Sequence, residues 1–463
     1  MNVWLTMTDS DAGYTRRTYL KGTAAASVGG MAAFAGCTGG GGGNGSGGNG
    51  NESGGNSGNG SGNQSEGGGS GSGQALVVLH GWTGGDGKEA INALTKNFEN
   101  KYPDVKTDFR PIGGGGNTNL NTVVAKRLGN NNPPSAFAGW PGQNLTKYEG
   151  VLGNANEAWS DFKNKHYKEV VDACKYNGNF AAVPIGSHRL NDLFFNKNVL
   201  DNAGVNPDDI SDFDGLVSAL KTVQQKTDKV PMTEAMKQPF SNLQLFGTIM
   251  LGTQGYQAYM DFINGKGEKK KVVAALKNTK QILANYINDD ASSTSLTGSL
   301  NNIMNGNAAF IHQGNWAAGA FDNKKGFKYG KDWGHITFPG TEGMYTLHMD
   351  SFIKPANNPS PKKTTKWLSY VGTKEAQIAF NTRKGSIPTR KDTSADEFGP
   401  YLSNTIEDFK NAKQKPPTIA HGLAVPAKTL TNLKGDINNN FTGPYNVEKT
   451  ADSMLGSIKD GQA

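Results

Sequence analysis

Cysteine is nearly absent, with two in 463 residues, which excludes a disulfide-stapled small domain and a cysteine-ligated zinc cluster. From residue 75 onward there is no run of the roughly 18 apolar residues that a membrane-spanning helix needs. No Gly-x-Ser-x-Gly stands after residue 74, so although His80-Gly81-Trp82-Thr83-Gly84-Gly85 has the look of a hydrolase oxyanion loop, the nucleophile elbow is missing. There is no His-Glu-x-x-His, and Gly84-Gly85-Asp86-Gly87-Lys88 lacks the Gly-Lys-Ser/Thr ending of a phosphate loop. Charge of one sign is not concentrated: 47 Lys and Arg stand against 40 Asp and Glu, a net +7, and the longest basic run, Lys269-Lys270-Lys271, follows Glu268. A nucleic-acid surface needs a basic patch backed by a fold motif, so a basic solvated surface and no nucleic-acid partner are expected. Nothing points to a metal or cofactor. Glycoside hydrolysis needs only two carboxylates close in space, so a glycan-processing enzyme stays as an alternative.

What is abundant is glycine, 63 residues, and it is concentrated: residues 38–73 contain only Gly, Asn, Ser, Thr, Gln and Glu. That composition has nothing apolar to bury and predicts no fold. Ahead of it, Thr15-Arg16-Arg17-Thr18-Tyr19-Leu20-Lys21 precedes a weakly apolar run ending in Ala33-Phe34-Ala35-Gly36-Cys37. The arginine pair resembles a twin-arginine export signal, and the small residues before Cys37 resemble a lipobox. Residues 1–36 are therefore expected to be a cleaved signal, Cys37 the lipidated residue and 37–74 a linker with an r.m.s. span of about 33 Å. The expected location is the outer face of the cytoplasmic membrane, held through the lipid alone.

The remaining chain is longer than one compact core usually holds, so two lobes are expected. Leu76-Val77-Val78-Leu79 has strand length, Ala90, Ile91, Leu94 and Phe98 recur at helical spacing, and strand, helix and strand follow at 105–111, 120–128 and 136–140. This alternation predicts a parallel α/β sheet. Ligands then sit at the carboxyl ends of strands, which places Trp82 and Asp86 in one turn and Trp140 and Asn144 in another. Farther on, strands are expected at 180–185, 192–195, 308–312 and 336–338, and helices at 213–223, 243–252, 272–287 and 364–380. Cys174 reads as a buried small hydrophobe.

Trp82, Trp140 and Trp316 each stand where a strand-like segment gives way to Gly, Pro or Asn. A sugar ring has apolar C–H faces and a rim of hydroxyls, so its site needs flat aromatic walls with polar groups in the ring plane. Asn315, Asp350, Lys384 and His421 supply such groups.

At these residues the chain resembles the extracellular solute-binding proteins of ABC sugar importers, most closely the glucose-binding type. The resemblance rests on Gly81-Trp82-Thr83-Gly84-Gly85, Asn305 to Phe310 continuing into Gly314-Asn315-Trp316-Ala317-Ala318-Gly319, Phe338 to Gly343, Asp350-Ser351-Phe352, Lys384 to Pro388 and His421 to Pro426. It implies a periplasmic-binding-protein-like clamshell of two α/β lobes, with 75–187 plus about 313–353 in the first lobe and about 188–312 plus 354–463 in the second. It further implies that Trp82 and Trp316 stack on a sugar while Asp350, Lys384 and His421 bond its hydroxyls, with His188 near a crossing between lobes. The implied partners are a sugar and ABC permease subunits with a cytoplasmic ATPase, the binding protein itself acting as a monomer. A non-sugar solute receptor is the alternative within the same cleft. The chain departs from the glucose-binding pattern at Gly81, Ala138, Trp140 and Asn315, and at Leu296, near which those relatives carry an aromatic. These departures imply a reshaped pocket, so a sugar is a firmer expectation than glucose.

Overall fold

The structure, a computed structural model, describes residues 73–462 except 86, 115, 116 and 238. The expected signal, linker and lipidation site at Cys37 lie outside the described residues, as does Asp86. In chain order the strands are β1 (Leu76–His80), β2 (Thr107–Pro111), β3 (Ala136–Gly139), β4 (Lys175–Tyr176), β5 (Asn179–Phe180), β6 (Ala182–Arg189), β7 (Asp192–Asn196), β8 (Val230–Met232), β9 (Ala308–Gln313), β10 (Trp333–Thr337) and β11 (Leu347–Ile353). They form a five-stranded sheet in the order β2-β1-β3-β11-β6, a four-stranded sheet in the order β10-β7-β9-β8, and the small pair β4-β5.

β1 pairs in parallel with β2 and β3, as the alternation predicts, but β11 is antiparallel to both β3 and β6. The first sheet is therefore mixed. The reason is the path of the chain: β6 runs through Leu190 and Asn191 directly into β7 of the second sheet, and β11 returns from β10, so neither connection is a helical crossover.

The first sheet is covered by the helix Lys88–Lys101, which buries Ala90, Ile91, Leu94 and Phe98, and by the helices Pro361–Val371 and Lys374–Lys384. The single helix expected over 364–380 is thus two. Thr373 caps the second, its Oγ1 accepting from the Ala376 N–H at 3.2 Å, and an N-cap has non-helical backbone that breaks the run. The second sheet packs against the helix Pro239–Ile263, which is apolar on nearly every side and broken at Gly255, and against the helices Lys269–Asn285 and Val447–Asp460. A helix without a polar face belongs inside a core, and this one reaches well beyond the 243–252 segment expected from periodicity. β10 lies in the second sheet and the helices over 361–384 in the first core, so the lobe limits expected at 313–353 and 354–463 do not coincide with sheet membership. Cys174 is fully buried in the first core. Among the described residues no helix is long and apolar enough to cross a membrane.

Candidate functional site

Where the two sheets approach each other, a cavity of about 300 Å³ is lined by Trp82, Trp140, His188, Trp316, Asp350, Lys384 and His421, together with His348, Phe240 and Leu296. Larger depressions lie elsewhere, such as one of about 500 Å³ beside Glu169, Asp172 and Lys415. That one, on the protein surface, is not walled by stacked rings, nor does it hold a buried carboxylate.

The polar floor comes from the β6–β11 pair. His188 stands directly opposite His348 across the ladder, and Asp350 follows two residues later on the same face. The register shifts between Asp350 and Ser351, a bulge of the kind that re-aims a side chain. His188 hydrogen-bonds Asn315 Oδ1 through Nδ1 at 2.6 Å and Asp350 Oδ2 through Nε2 at 3.1 Å, while His348 Nε2 lies 3.8 Å from Asp350 Oδ1. Burial alone would raise the Asp350 carboxyl. The hydrogen bond with His188 and the neighbouring His188, Lys384 and His348 groups outweigh it and hold Asp350 well below the usual carboxylate range. Burial lowers His348 to about 3 and His421 well below its ordinary value, so both rings are neutral near pH 7.

The aromatic walls are set by backbone geometry. β9 ends at Gln313, and the Trp316 ring folds back over Gly314, where a Cβ would meet the ring at 2.4 Å; Trp316 Nε1 donates to Gln313 Oε1 at 3.1 Å. The helix Trp316–Asp322 then touches the end of the helix Lys374–Lys384. A Cβ on Gly319 would come within 2.5 Å of the Lys384 carbonyl, and Gly385 has a left-handed φ of 79°. This contact between two helix ends brings Lys384 Nζ to 5.9 Å from the Trp316 ring. Trp140 meets His348 and His421 edge-on at centroid distances of 5.4 and 5.0 Å, and Lys434 Nζ lies 5.8 Å from its ring. Burial lowers the Lys434 amine to about 8. Trp82, at the end of β1, packs edge-on against Phe352 and Phe380 at 5.7 and 5.1 Å.

Seven of the nine expected ligand residues are thus gathered around one cavity. Asn144 is not on its lining: its Nδ2 donates to the Trp140 carbonyl at 3.0 Å, so it fixes the turn that carries Trp140. His348 and Phe240 were not singled out in the sequence. His348 stands two residues before Asp350 on β11, a strand not expected from the sequence, and alternation along that strand would have found it. Phe240, at the start of a helix, had no such signal. Ala138, named among the departures, does not line the cavity, whereas Gly81 and Leu296 do. Among the described residues no group of His, Cys, Asp and Glu is arranged to hold a metal ion.

A sequence model of the bacterial extracellular solute-binding proteins matches residues 93–426. The xylose/arabinose-binding protein XacG of Haloferax volcanii is 48% identical over 456 residues, covering 97% of this chain and 99% of that protein. An uncharacterized ABC transporter extracellular-binding protein of Pyrococcus horikoshii is 32% identical over 393 residues, covering 83% of this chain and 88% of that one. The crystal structure of the bacterial solute receptor AcbH, described as preferring β-D-galactopyranose, superposes with a TM-score of 0.73 over 84% of this chain and 99% of its own at 16% identity. That likeness establishes the two-lobed fold.

Proposed function

The chain belongs to the bacterial extracellular solute-binding proteins, and on that premise we propose that it captures a monosaccharide, an aldopentose such as xylose or arabinose, for an ABC importer. The observation that carries this reading is the cavity: two buried tryptophans, one charged carboxylate and one lysine converge on a space of about 300 Å³, at the small end of ligand cavities and suited to one sugar ring. Trp82, Trp140 and Trp316 act as walls for C–H faces, and Asp350, Lys384 and His421 bond the hydroxyls, while His188, with both ring nitrogens engaged by Asn315 and Asp350, orients the carboxylate. Charged partners make the stronger hydrogen bonds, and a sugar lacking the matching hydroxyl leaves them unpaired, which sets specificity. The aldopentose reading is supported by the Haloferax volcanii relative's described ligands and by one edge of the site. There Leu296 joins Leu190, Phe240 and Trp316 in an apolar cluster, which suits the unsubstituted C5 edge of a pentopyranose.

In this reading the protein breaks no bond. Glycoside hydrolysis takes two carboxyl groups flanking the sugar, and among the described residues of the lining Asp350 is the one carboxylate. Binding instead shifts an equilibrium between open and closed lobes, the first built on β2-β1-β3-β11-β6 with the helices of 361–384 and the second on β10-β7-β9-β8. A permease with its ATPase receives the closed form. Export through the arginine pair and a lipid on Cys37 complete the proposal; mass spectrometry of the mature protein is expected to find an acylated Cys37 at the amino terminus, and an unmodified one overturns the anchor.

Calorimetry against xylose, arabinose, glucose, galactose and common disaccharides tests the ligand. Tight binding of a pentose, lost at least about tenfold in Trp316→Ala and in Asp350→Asn, is the expected result. Silence across all sugars from a folded protein overturns it.

A further inference from the structure

His421 is held from behind by a residue that the cavity does not touch. Gln244 lies on the buried face of the helix Pro239–Ile263, one turn after Phe240, and its Oε1 stands 3.1 Å from His421 Nε2. Both side chains are buried, Gln244 3% and His421 3% exposed. The ring is enclosed on its other sides by Trp140, Trp316, Phe240 and His348 at centroid distances of 5.0, 5.5, 5.0 and 4.6 Å. A neutral imidazole carries one N–H, and an amide oxygen accepts but cannot donate. With Oε1 facing Nε2, the proton belongs on Nε2. Nδ1 is then a bare acceptor; it and Gln244 Nε2 are both buried without a partner among the described residues, so the orientation of the amide rests on this one contact.

We propose that Gln244 is a positioning residue that fixes His421 in the Nε2–H form, so that His421 meets the ligand as a hydrogen-bond acceptor through Nδ1. The inference rests on the reading of this cavity as a sugar site. It assigns His421 the opposite polarity to Lys384, which can only donate. The site then requires a hydroxyl that gives its proton to His421 and another oxygen that accepts from Lys384, and a ligand with an ether or deoxy position at the first place is rejected. The choice of Gln over Glu follows from the surroundings. Burial above all, and then His348, Lys434, His188 and Lys384, disfavour a charge on His421. A carboxylate at 244 would draw a second proton onto the ring and turn Nδ1 from acceptor to donor, whereas an amide supplies the acceptor without the charge.

The first test needs no ligand. Long-range ¹H–¹⁵N spectra of the histidine side chains in the intact, sugar-free protein are expected to show His421 with a protonated Nε2 and a bare Nδ1; an Nδ1–H form overturns the assignment. In Gln244→Met, close in size but without an acceptor, the His421 signals are expected to leave the pure Nε2–H pattern and sugar affinity to fall at least about tenfold at every pH. In Gln244→Glu affinity is expected to fall at pH 7 and to recover as pH rises and the ring loses its second proton. Affinity within twofold of the parent at pH 7 in both variants overturns the proposal, as does a loss in Gln244→Glu that no rise in pH relieves. If the spectra show the Nε2–H form while no sugar binds the parent protein, the tautomer assignment stands and the sugar reading is what fails.

Discussion

Leu296 packs beside Phe240, Leu190 and Trp316 at the rim of the cavity and is half-buried there. A sugar ring edge laid against the Leu296 side chain itself meets carbon, so a hydroxymethyl group placed on it loses water without gaining a hydrogen bond from that side chain, at a cost of about 1–3 kcal/mol, although Ser295 and Thr297 line the cavity on either side. If the ligand is the proposed pentose, discrimination against a hexose falls to this side chain. In Leu296→Ser the preference is expected to narrow by about tenfold, because a hydroxyl and freed space accept the sixth carbon's oxygen. Competition calorimetry with xylose and glucose reads the change, and an unaltered ratio of affinities removes Leu296 from the specificity argument. Asp350 differs in kind. It is 6% exposed yet ionised, and a buried charge keeps its place only through partners, here His188 on Oδ2 with His348 Nε2 3.8 Å from Oδ1. The same carboxylate that is costly to bury becomes the strongest acceptor for a sugar hydroxyl once water is excluded.

Between single residues and the whole fold, the elements that matter most are the two strands that pass from one sheet to the other. At the end of β6 the buried Arg189 reaches Asp408 at 2.7 Å through Nη1 and Thr337 at 2.7 Å through Nη2, with Asp192 Oδ1 3.4 Å from Nε. Next to it Asn191 donates to Thr341 Oγ1 at 2.9 Å and accepts from the Thr346 N–H at 3.0 Å. These bonds tie the outgoing crossing to the returning one. Replacing Arg189 by Met leaves Asp192, already raised to about 6 by burial, without its cation, and such a loss costs about 3–5 kcal/mol. Urea titration is expected to show it, and a loss under about 1 kcal/mol means the crossing does not depend on this ion pair. A second element carries the opposite kind of tension. Just beyond β8 Glu234 is fully buried with no well-formed hydrogen bond to either carboxylate oxygen among the described residues, and burial, opposed only by the adjacent Ala235 N–H, raises it to about 8. A carboxyl whose folded value is raised stabilises the fold below its unfolded value of 4.5, and that contribution is lost as pH rises through about 8. Glu234→Gln is expected to match the parent Tm near pH 4.5 and exceed it at pH 9; equal melting at both pH values contradicts the buried-acid account.

Over the whole molecule the histidines decide acid stability. Burial lowers His166 and His348 to about 3 and His80, His312 and His335 to about 4, with His421 also well below its ordinary value. An unfolded histidine takes a proton near 6.5, so below that pH the unfolded chain binds more protons than the folded one. The histidines' contribution to stability is then complete above about 6.5 and lost progressively as pH falls toward 4. Melting at pH 7.5 and at pH 5 is expected to differ by several degrees, lower at pH 5, and a flat profile contradicts the burial of these rings.

By itself the sequence determined whatever depends on local pattern. The alternation of short apolar strands with helical spacing from Leu76 to Trp140 named an α/β fold, the tryptophans at strand ends named walls, and the ordered motifs from Gly81 to Pro426 named the family and most of the cavity. Asp350, Lys384 and His421 were legible because each stands in a short motif that carries the family resemblance, although the strand that holds Asp350 was not itself expected. Only the tertiary structure decided what depends on residues far apart in the chain. The antiparallel return of β11 is invisible to periodicity, because a strand looks the same in either direction. The break at Thr373 was missed because a cap costs the helical pattern only one residue. Phe240 and Gln244 carry no signal at all, since a side chain on a buried helix shows its role only through what packs against it. Asn144 was drawn into the site by its turn and placed behind it by a hydrogen bond to the Trp140 carbonyl. A ligand cavity is made from contacts between distant segments, so its residues are readable from sequence only where a local motif happens to mark them.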